Sequence, residues 1–575
     1  MKHHLEARSL FNIFLRSSVG LAALCLSAPV LHAVSCKVVQ HGPPSEADKA
    51  MLAADYAKAE SLYKAVLTKQ PDDTDATVGL VHALLRQQNV TEAADAVRSA
   101  LDAAPKSPVF ITLRGEVELR QGEPWLVEPT VIESYKIDPC NPRTRLLYSR
   151  VLELTARYAT SRQQIVIAHQ FDPQDPEIRL AWMRTLPLPQ RIAELESYLS
   201  APSGDDPQAI GQLHADLDRL KREKDEPAKP CRIVSATAQA EIPFIRLAGW
   251  AGHTRAYGLE VAFNGMQQRL QIDTRGAGLT LYRSAADRAG LKRLDPESKS
   301  AASAPGGKPN YIVYADSIRI GTLEFKDCRV NVIDSSSPFD DGVGMIGADI
   351  FSDFLVTLDF PMRKLGLAPL PARPGEPASA PALKTIAEDF NPLQSIAEPA
   401  KLAADPSAPP PAPSEIGPFD RYIAPEMKDY VQIFRAGHDL VLPTALGTDK
   451  IRLYVLEAAS DETNISTSAA LDMPKVHEDK SLEHPGPGGR TQKVFVVDEI
   501  NFNFAHVAQK LNGVFSTDTS FASKTDGMEI SGLLGMKTTL SLLTLHIDFR
   551  DGLLKAEYVP GRGYKFEDNS ISAKQ

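Results

Sequence analysis

The sequence predicts a multidomain protein in which an N-terminal α-solenoid precedes two all-β lobes. The chain has 575 residues, which is too many for a single hydrophobic core. Prolines recur at a fixed spacing in the first third of the chain, and two later regions consist of short alternating apolar runs with matching ends. We predict five segments: a signal peptide at 1–33, a helical region at 45–225, a first β region at 231–372, a linker at 373–417 and a second β region at 418–562.

The N-terminus has the pattern of an export signal. Basic residues, among them Lys2 and Arg8, precede the apolar run at 19–31, which is too short to span a bilayer as a stable helix. We therefore expect an exported protein, periplasmic or extracellular; the alternative is a short membrane anchor. The run "AVSC" at 33–36 loosely resembles a lipoprotein box, which would make Cys36 a lipidated membrane tether.

Composition excludes several classes of function. The formal net charge is −10 and phosphate binding needs a basic face, so we expect no nucleic-acid partner. The chain has no CxxC motif and no Cys/His cluster, so we expect no zinc site, and we predict neither a metal nor a cofactor. Cys231 and Cys328 fall in one predicted region, where they form either a disulfide or two small buried thiols.

A repeat with a fixed period fills the first third of the chain. Pro71, Pro105, Pro139 and Pro173 are spaced 34 residues apart, and a helix-like run precedes each of them. Proline cannot continue a helix, so each one is expected to end the second helix of a repeat. The pattern resembles tetratricopeptide repeats over residues 45–200, and such repeats imply a concave surface that binds peptides or partner proteins.

The third repeat departs from this pattern. Its segment "GEPWLVEPT" at 122–130 places one glycine and two prolines where helices are predicted. In a helix interior, glycine costs about 1 kcal/mol and proline about 3 kcal/mol relative to alanine. We therefore expect this repeat to be distorted.

Two stretches of β patterning follow, separated by a Pro/Ala/Ser-rich linker. The first ends "GVGMIGADIFSDFLVTLDFPMRKLGLAPL" at 342–370, and the second ends "ISGLLGMKTTLSLLTLHIDFRDGLLKAEYV" at 530–559. Both endings contain glycine, two apolar residues, glycine, a short helix, an apolar strand, an Asp-Phe turn and a final strand. A duplicated lobe is the simplest explanation, although the long linker also permits two independent domains.

The first β region resembles the retropepsin-like aspartic peptidases, of the bacterial type often fused to tetratricopeptide repeats. The resemblance rests on "IDTRGAGLTL" at 272–281, "ADSIRIGTLEFKDCRVNVID" at 315–334 and "DDGVGMIGADIFSDFLVTLDF" at 340–360. It implies a retropepsin/pepsin-like fold for both lobes and two carboxylates, one from each lobe, that share one proton. One carboxylate then acts as a base on water while the other donates a proton to the substrate carbonyl.

The resemblance makes Asp273 the catalytic carboxylate of the first lobe and Thr274 its supporting hydroxyl. Arg275 stands where the family has glycine, either as a replacement or as a residue inserted before Gly276. An arginine next to the carboxylate favours its ionised form and opposes a shared proton. The motif of the first lobe is therefore expected to be impaired.

The second lobe departs further from the family pattern. Its segment "LEAAS" at 456–460 places Glu457 at the aspartate position, Ala458 at the threonine position and Ala459 at the glycine position. The carboxylate is one methylene longer and the hydroxyl is missing. A displacement near 1 Å can lower a rate about a hundredfold. Asp273 and Glu457 are either a degenerate dyad or two unrelated surface carboxylates.

The expected function is that of an exported aspartic-peptidase-like protein with little or no peptidase activity, in which repeats and lobes bind a peptide or protein. One alternative is an active aspartic endopeptidase that uses Asp273 with Glu457 or with a second subunit. Another is a non-enzymatic interaction scaffold that functions through the repeats alone.

Overall fold

A computed structural model describes residues 36–225, 231–235, 239–248, 254–293, 310–333, 342–374, 420–447, 450–482, 484–485 and 491–558. The predicted signal peptide at 1–33 lies outside the described residues, and so do most of the predicted linker and residues 559–562.

Helices occupy the first part of the described chain. They are α1 Glu46–Leu52, α2 Tyr56–Lys69, α3 Thr74–Arg86, α4 Val90–Ala103, α5 Pro108–Arg120, α6 Pro124–Ile137, α7 Pro142–Leu154, α8 Tyr158–Phe171, α9 Pro176–Met183, α10 Leu188–Leu199 and α11 Pro207–Asp225. Three short helices lie within the β lobes: α12 Arg283–Arg288, α13 Thr467–Leu471 and α14 Ser520–Asp526.

Helix starts repeat every 34 residues from α2 to α9, which confirms the predicted α-solenoid. The residues that precede α3, α5, α7 and α9 are polar, and each side chain accepts a hydrogen bond from the backbone of the first helical turn. These capping residues are Asp73, Ser107, Asn141 and Asp175. The second helix of each repeat ends just before one of the regularly spaced prolines, as predicted.

The third repeat is regular, so the predicted distortion is wrong. Pro124 occupies the first position of α6, where no helical hydrogen bond is lost. Gly122 lies in the preceding turn with φ of 76°, a conformation that glycine adopts without strain. Pro129 lies inside α6, yet α6 has 14 residues, like α2, α4 and α8.

Strands form the rest of the fold. The first lobe contains β1 Arg232–Ile233, β2 Ala240–Pro243, β3 Ile245–Ala248, β4 Thr254–Phe263, β5 Met266–Asp273, β6 Leu279–Tyr282, β7 Lys292–Arg293, β8 Tyr311–Ile320, β9 Leu323–Ile333, β10 Gly344–Gly347, β11 Phe354–Asp359 and β12 Lys364–Pro369. The second contains β13 Val431–Gln432, β14 Phe434–Ala436, β15 Asp439–Leu446, β16 Ile451–Glu457, β17 Ile465–Ser466, β18 Val476–Glu478, β19 His484–Pro485, β20 Thr491–Gln492, β21 Phe495–Phe504, β22 Val507–Thr517, β23 Gly532–Gly535, β24 Leu543–Asp548 and β25 Leu553–Tyr558.

The two lobes share one antiparallel sheet, in the strand order β13-β25-β24-β11-β12-β2. β11 of the first lobe pairs with β24 of the second, which places Leu358 opposite Leu545. A single hydrophobic core runs through both lobes and includes Phe360 and Ile547. The lobes therefore pair within the chain and are not the independent domains that the linker permits.

The second lobe also packs against the repeats. Leu147 of α7 shares an apolar core with Phe434 and Val455 of the second lobe. Next to this core, the Glu529 N–H donates a hydrogen bond to the Arg120 carbonyl at the end of α5. Part of the repeat surface is consequently covered by the chain itself, and the surface left for partners is smaller than the repeat pattern alone suggests.

Two disulfides tie distant segments together. One joins Cys231 to Cys328, and the other joins Cys36 to Cys140 of the repeats. For Cys231 and Cys328 the sequence allowed either a disulfide or two buried thiols, and the structure has the disulfide. The second disulfide contradicts the predicted tether through lipidated Cys36, because a lipid thioether needs the sulfur that is bonded to Cys140.

Candidate functional site

Two loops meet at the junction of the lobes, and each follows a buried strand. β5 ends at Asp273, which lies opposite Gly347 of the parallel strand β10. β16 ends at Glu457, which lies opposite Gly535 of the parallel strand β23. Asp273 and Glu457 therefore occupy equivalent positions in the two lobes, as a duplication predicts.

Gly347 and Gly535 make this close approach possible. A Cβ atom on Gly347 would lie 2.2 Å from the Gly276 carbonyl oxygen, and one on Gly535 would lie 2.3 Å from the Glu462 carbonyl carbon. Both distances are far inside van der Waals contact, so each loop rests on its neighbouring strand because that strand has no side chain at this point. Packing beneath the loops thus explains the shared pattern of glycine, two apolar residues and glycine.

Backbone N–H groups hold both carboxylates. Oδ1 of Asp273 accepts hydrogen bonds from the N–H of Arg275 at 2.9 Å and of Gly276 at 2.8 Å. In the second lobe, Oε1 of Glu457 accepts one from the N–H of Ala459 at 3.1 Å. Arg275 and Ala459 hold the same third position of their loops, counted from the carboxylate residue.

Side chains of the first lobe reach the backbone of the second. The Thr274 hydroxyl donates to the Leu456 carbonyl at 2.6 Å and accepts from the Ala458 N–H at 2.9 Å. Gln271 Nε2 donates to the Ala459 carbonyl at 3.1 Å. Ala458 is the counterpart of Thr274 and has no hydroxyl. The equivalent hydrogen bonds from the second lobe to the backbone of the first are therefore missing.

The Arg275 side chain crosses into the second lobe. Its Nε and Nη2 donate to the two carboxylate oxygens of Asp439 at 2.9 and 2.7 Å. Nε also lies 3.5 Å from Oε2 of Glu457. These bonds to Asp439 raise the pKa of Arg275 further above its usual range, against the opposing effect of burial. The cation is thus directed at Asp439 and Glu457, whereas the sequence suggested an effect on Asp273.

Glu457 is not the surface carboxylate that one sequence alternative allowed, because it is only 9% exposed. Burial and then the charge of Asp273 raise the pKa of Glu457 to about 7, while Arg275 and the Ala459 N–H oppose the rise. The two carboxyls are therefore near enough to interact, and Glu457 holds a proton below neutral pH.

The two loops are surrounded by further charged groups, which the sequence analysis did not single out. Asp439 begins β15, and Asp526 ends α14. Burial raises the pKa of Asp526 to about 7, and neighbouring Asp439 adds to the rise. Between the lobes, His438 Nδ1 lies 3.5 Å from Asp349. In the sequence, Gly437-His438-Asp439 and Asp526-Gly527 have the pattern of ordinary turns between elements, so nothing there marks these side chains as part of a site.

Comparisons with known proteins identify the two types of domain. Residues 50–117 match the tetratricopeptide repeat family model, and residues 259–350 match the aspartyl protease family model. The chain is similar to a retropepsin-like aspartic protease from Rickettsia conorii, at 18% identity over 24% of this chain and 92% of that chain, with a TM-score of 0.17. It is similar to a thermophilic TPR protein from Thermus thermophilus, at 15% identity over 30% of this chain and 95% of that chain, with a TM-score of 0.25. No curated protein gives a significant match.

The paired lobes and the family match define the class: an aspartic-peptidase-like β region. In this chain that region follows a tetratricopeptide-repeat solenoid, which is docked on the second lobe. Among the described residues, no helix is both long and apolar enough to cross a membrane, and no group of three or more His, Cys, Asp or Glu side chains is placed to hold a metal ion.

Proposed function

We propose that this chain is an exported aspartic-peptidase-like protein that binds a peptide or protein and has little or no peptidase activity. The observation that carries the proposal is the pairing of Arg275 with Asp439, 3.5 Å from Glu457. Aspartic-peptidase chemistry needs one proton shared by two carboxyls, and a guanidinium beside one carboxyl stabilises its ionised form. The arginine thus works against the state that catalysis needs.

The second loop supplies an independent reason for low activity. The Glu457 carboxylate is one methylene further from the backbone than an aspartate would be, and Ala458 provides no hydroxyl to orient the opposing loop. Displacements near 1 Å cost about a hundredfold in rate. Because the two defects lie in different loops, correction of one leaves the other in place.

Cleavage of a peptide library between about pH 3 and pH 7 tests the proposal. We expect no cleavage by the unmodified chain that depends on Asp273, and only partial activity, or none, in Arg275→Gly. Asp273→Ala is the reference for background proteolysis. Cleavage by the unmodified chain that disappears in Asp273→Ala would contradict the proposal.

An active endopeptidase that uses Asp273 with Glu457 is the second candidate. Thr274 has both of its hydrogen bonds across the lobes, and Glu457 has a pKa of about 7 next to Asp273. A dyad with one protonated and one ionised carboxyl is the state that aspartic peptidases use. For this candidate, Glu457→Gln abolishes cleavage, because an amide side chain cannot exchange the proton.

Peptide binding itself can be measured apart from cleavage. A fluorescent peptide selected from the library should bind the unmodified chain and Asp273→Ala with equal affinity, since in this proposal the Asp273 carboxyl is not needed for binding. A scaffold that functions through the repeats alone would bind its partner equally well after substitutions in both loops. Loss of peptide binding on substitution of Thr274 and Glu457 together would place the peptide between the lobes.

Export to an oxidising compartment is the remaining part of the proposal. The basic residues and the apolar run of the N-terminus support it, and so do the disulfides Cys36–Cys140 and Cys231–Cys328, since disulfides persist outside the reducing cytosol. Cell fractionation combined with thiol alkylation before and after reduction tests it. Recovery of the chain in the cytosol with all thiols reactive would contradict export.

A further inference from the structure

A cleft of about 760 Å³ lies between the repeats and the second lobe. Helices α3, α5, α7 and α9 line one wall and α10 and α11 another, while the turns at Gly437 and Gly527 of the second lobe close it. Its volume is in the range of about 300–1,000 Å³ that is typical of small-molecule sites. Asp273 and Glu457 do not line it, although Asp526, one of the charged groups around the paired loops, does.

The central carboxylates of this cleft have cationic partners. Glu177 lies 3.0 Å from Arg86 and 2.7 Å from Arg150. Oε1 of Glu116 lies 3.9 Å from Arg143, and its Oε2 lies 2.8 Å from Nε2 of His82. These ion pairs satisfy the acidic groups on the inner helices and leave neither carboxylate free to accept a further cation.

Arg120 is the cation that remains without a partner. Its guanidinium makes no hydrogen bond or ion pair with any residue that the structure describes, whereas the other arginines of the cleft each have a contact. Burial lowers the pKa of Arg120 and the like charges of Arg150 and Arg86 lower it further, while the carboxylates of Glu177 and Glu116 oppose the fall. These two carboxylates act on Arg120 without a hydrogen bond or an ion pair to its guanidinium, so an anion in the cleft that contacts the guanidinium directly would be stabilised there.

The position of the guanidinium decides which cleft is relevant. Arg120 also borders a second cleft of about 770 Å³, which the α3–α4 turn and the hydroxyl-rich edge of the second lobe line. The charged groups that act most strongly on Arg120 are Arg150, Glu177, Arg86 and Glu116, and all of them line the first cleft. The charged neighbours of Arg120 therefore belong to the first cleft.

Apolar side chains line the same cleft beside these charges. Leu119 precedes Arg120 on α5, and Leu154, Met183 and Leu195 come from the neighbouring helices. A pocket with an apolar wall and one unpaired guanidinium is complementary to a carboxylate on an apolar body, because guanidinium binds carboxylate through two parallel hydrogen bonds. The turns of the second lobe close the cleft on one side, which favours a compact ligand over an extended chain.

We propose that this cleft binds a small organic acid whose carboxylate pairs with Arg120 and whose apolar body packs against Leu119, Leu154 and Met183. The ligand is held between the repeats and the second lobe, so its binding joins the two parts of the chain. This site does not depend on whether the paired loops of the lobes cleave peptides.

Titration calorimetry of the full chain with 4-phenylbutanoate and its neutral counterpart 4-phenylbutanamide tests the proposal. We expect the acid to bind at least about tenfold more tightly than the amide, because the amide cannot replace a charge-assisted bond. Arg120→Gln should weaken binding of the acid about tenfold or more, and Arg120→Lys should weaken it less because the charge remains. The matched control is Arg114→Gln on the same helix, where Arg114 already pairs with Glu133 at 2.6 Å, and we expect unchanged affinity.

Thermal unfolding separates a binding role from a structural one. Because Arg120 has no partner among the described residues, Arg120→Gln should leave the unfolding midpoint unchanged or raise it. Lys493→Gln, in the second cleft, should not change affinity. Equal binding of acid and amide, no binding of the acid, full affinity in Arg120→Gln, or tighter binding of an acetylated peptide with a free carboxy-terminus would each overturn the proposal.

Discussion

The two lobes present the same loop with different polar contacts. In the first lobe, two N–H groups hold Asp273, and Thr274 reaches the backbone of its counterpart. In the second lobe, one N–H holds Glu457, and Ala458 returns no side-chain bond. Both loops nevertheless pack on a neighbouring parallel strand, and in each lobe a glycine of that strand lies opposite the carboxylate residue. Different residues therefore supply the packing that forms a loop and the polar groups that prepare its carboxyl for chemistry. The packing can be present where the polar groups are missing.

Replacement of the supporting glycines should give the largest effect, and in both lobes alike. In Gly347→Val or Gly535→Val, the new side chain would meet backbone atoms of the loop at 2.2 or 2.3 Å. We expect a loss of about 3 kcal/mol or more in the free energy of unfolding, measured by chemical denaturation. Gly211→Ala is the control, because nothing lies within 4 Å of its Cβ position. Tolerance of valine in one lobe only would refute the equivalence of the loops.

The stability of the protein should depend on pH through Glu457 of the second loop. Folding raises the pKa of Glu457 from 4.5 to about 7, so the folded state binds the proton more tightly. The resulting stabilisation is full below pH 4.5 and is lost as the pH rises to about 7, which amounts to about 3 kcal/mol at 1.36 kcal/mol for each pKa unit.

Glu457→Gln removes this titration. The free energy of unfolding of the unmodified chain minus that of the variant should fall by about 3 kcal/mol between pH 4.5 and pH 7, measured by urea denaturation at several pH values. The comparison cancels the titration of groups that do not interact with Glu457. Parallel pH profiles of the two proteins would contradict the buried, protonated state of Glu457.

Removal of the Thr274 hydroxyl tests the contribution of its two hydrogen bonds across the lobes, which have no counterpart at Ala458. Thr274→Val keeps the shape but leaves the Leu456 carbonyl and the Ala458 N–H without their partner, so we expect a destabilisation of about 2 kcal/mol. Thr280→Val on β6 is the matched control, since its hydroxyl makes no hydrogen bond within the described residues. An equal effect of both substitutions would show that the bonds across the lobes contribute nothing specific.

The smallest effect is expected at Gln271. Its counterpart in the second lobe is Val455, two residues before Glu457, and Gln271→Val makes the loops more alike. The substitution removes the hydrogen bond to the Ala459 carbonyl, so we expect a loss of about 1 kcal/mol in the free energy of unfolding, partly offset by the buried apolar side chain. A gain in stability would show that this bond is not a favourable link between the lobes.

Sequence reasoning was most successful where the signal is local. The 34-residue helix starts and the polar residues that cap α3, α5, α7 and α9 follow from hydrogen bonds within one helical turn. The glycine, apolar, apolar, glycine pattern marked the strand beneath each loop, because a side chain at its last glycine would meet the backbone of the loop. The distorted third repeat was a wrong prediction, because Pro124 falls at a helix start, where proline is tolerated, and only one proline lies inside the helix.

The repeats, the two lobes and the equivalence of Asp273 and Glu457 could be predicted from the amino-acid sequence, because periodicity and strand patterns depend on neighbouring residues. The electrostatics of the site could not, because it depends on contacts between distant parts of the chain. Arg275 pairs with Asp439, which lies 164 residues away, and Cys36 is bonded to Cys140, 104 residues away. Only the packing of the lobes on each other and on the repeats brings these groups within a few ångströms. Charge interactions depend on distance and burial in space, and no local pattern in the sequence encodes either.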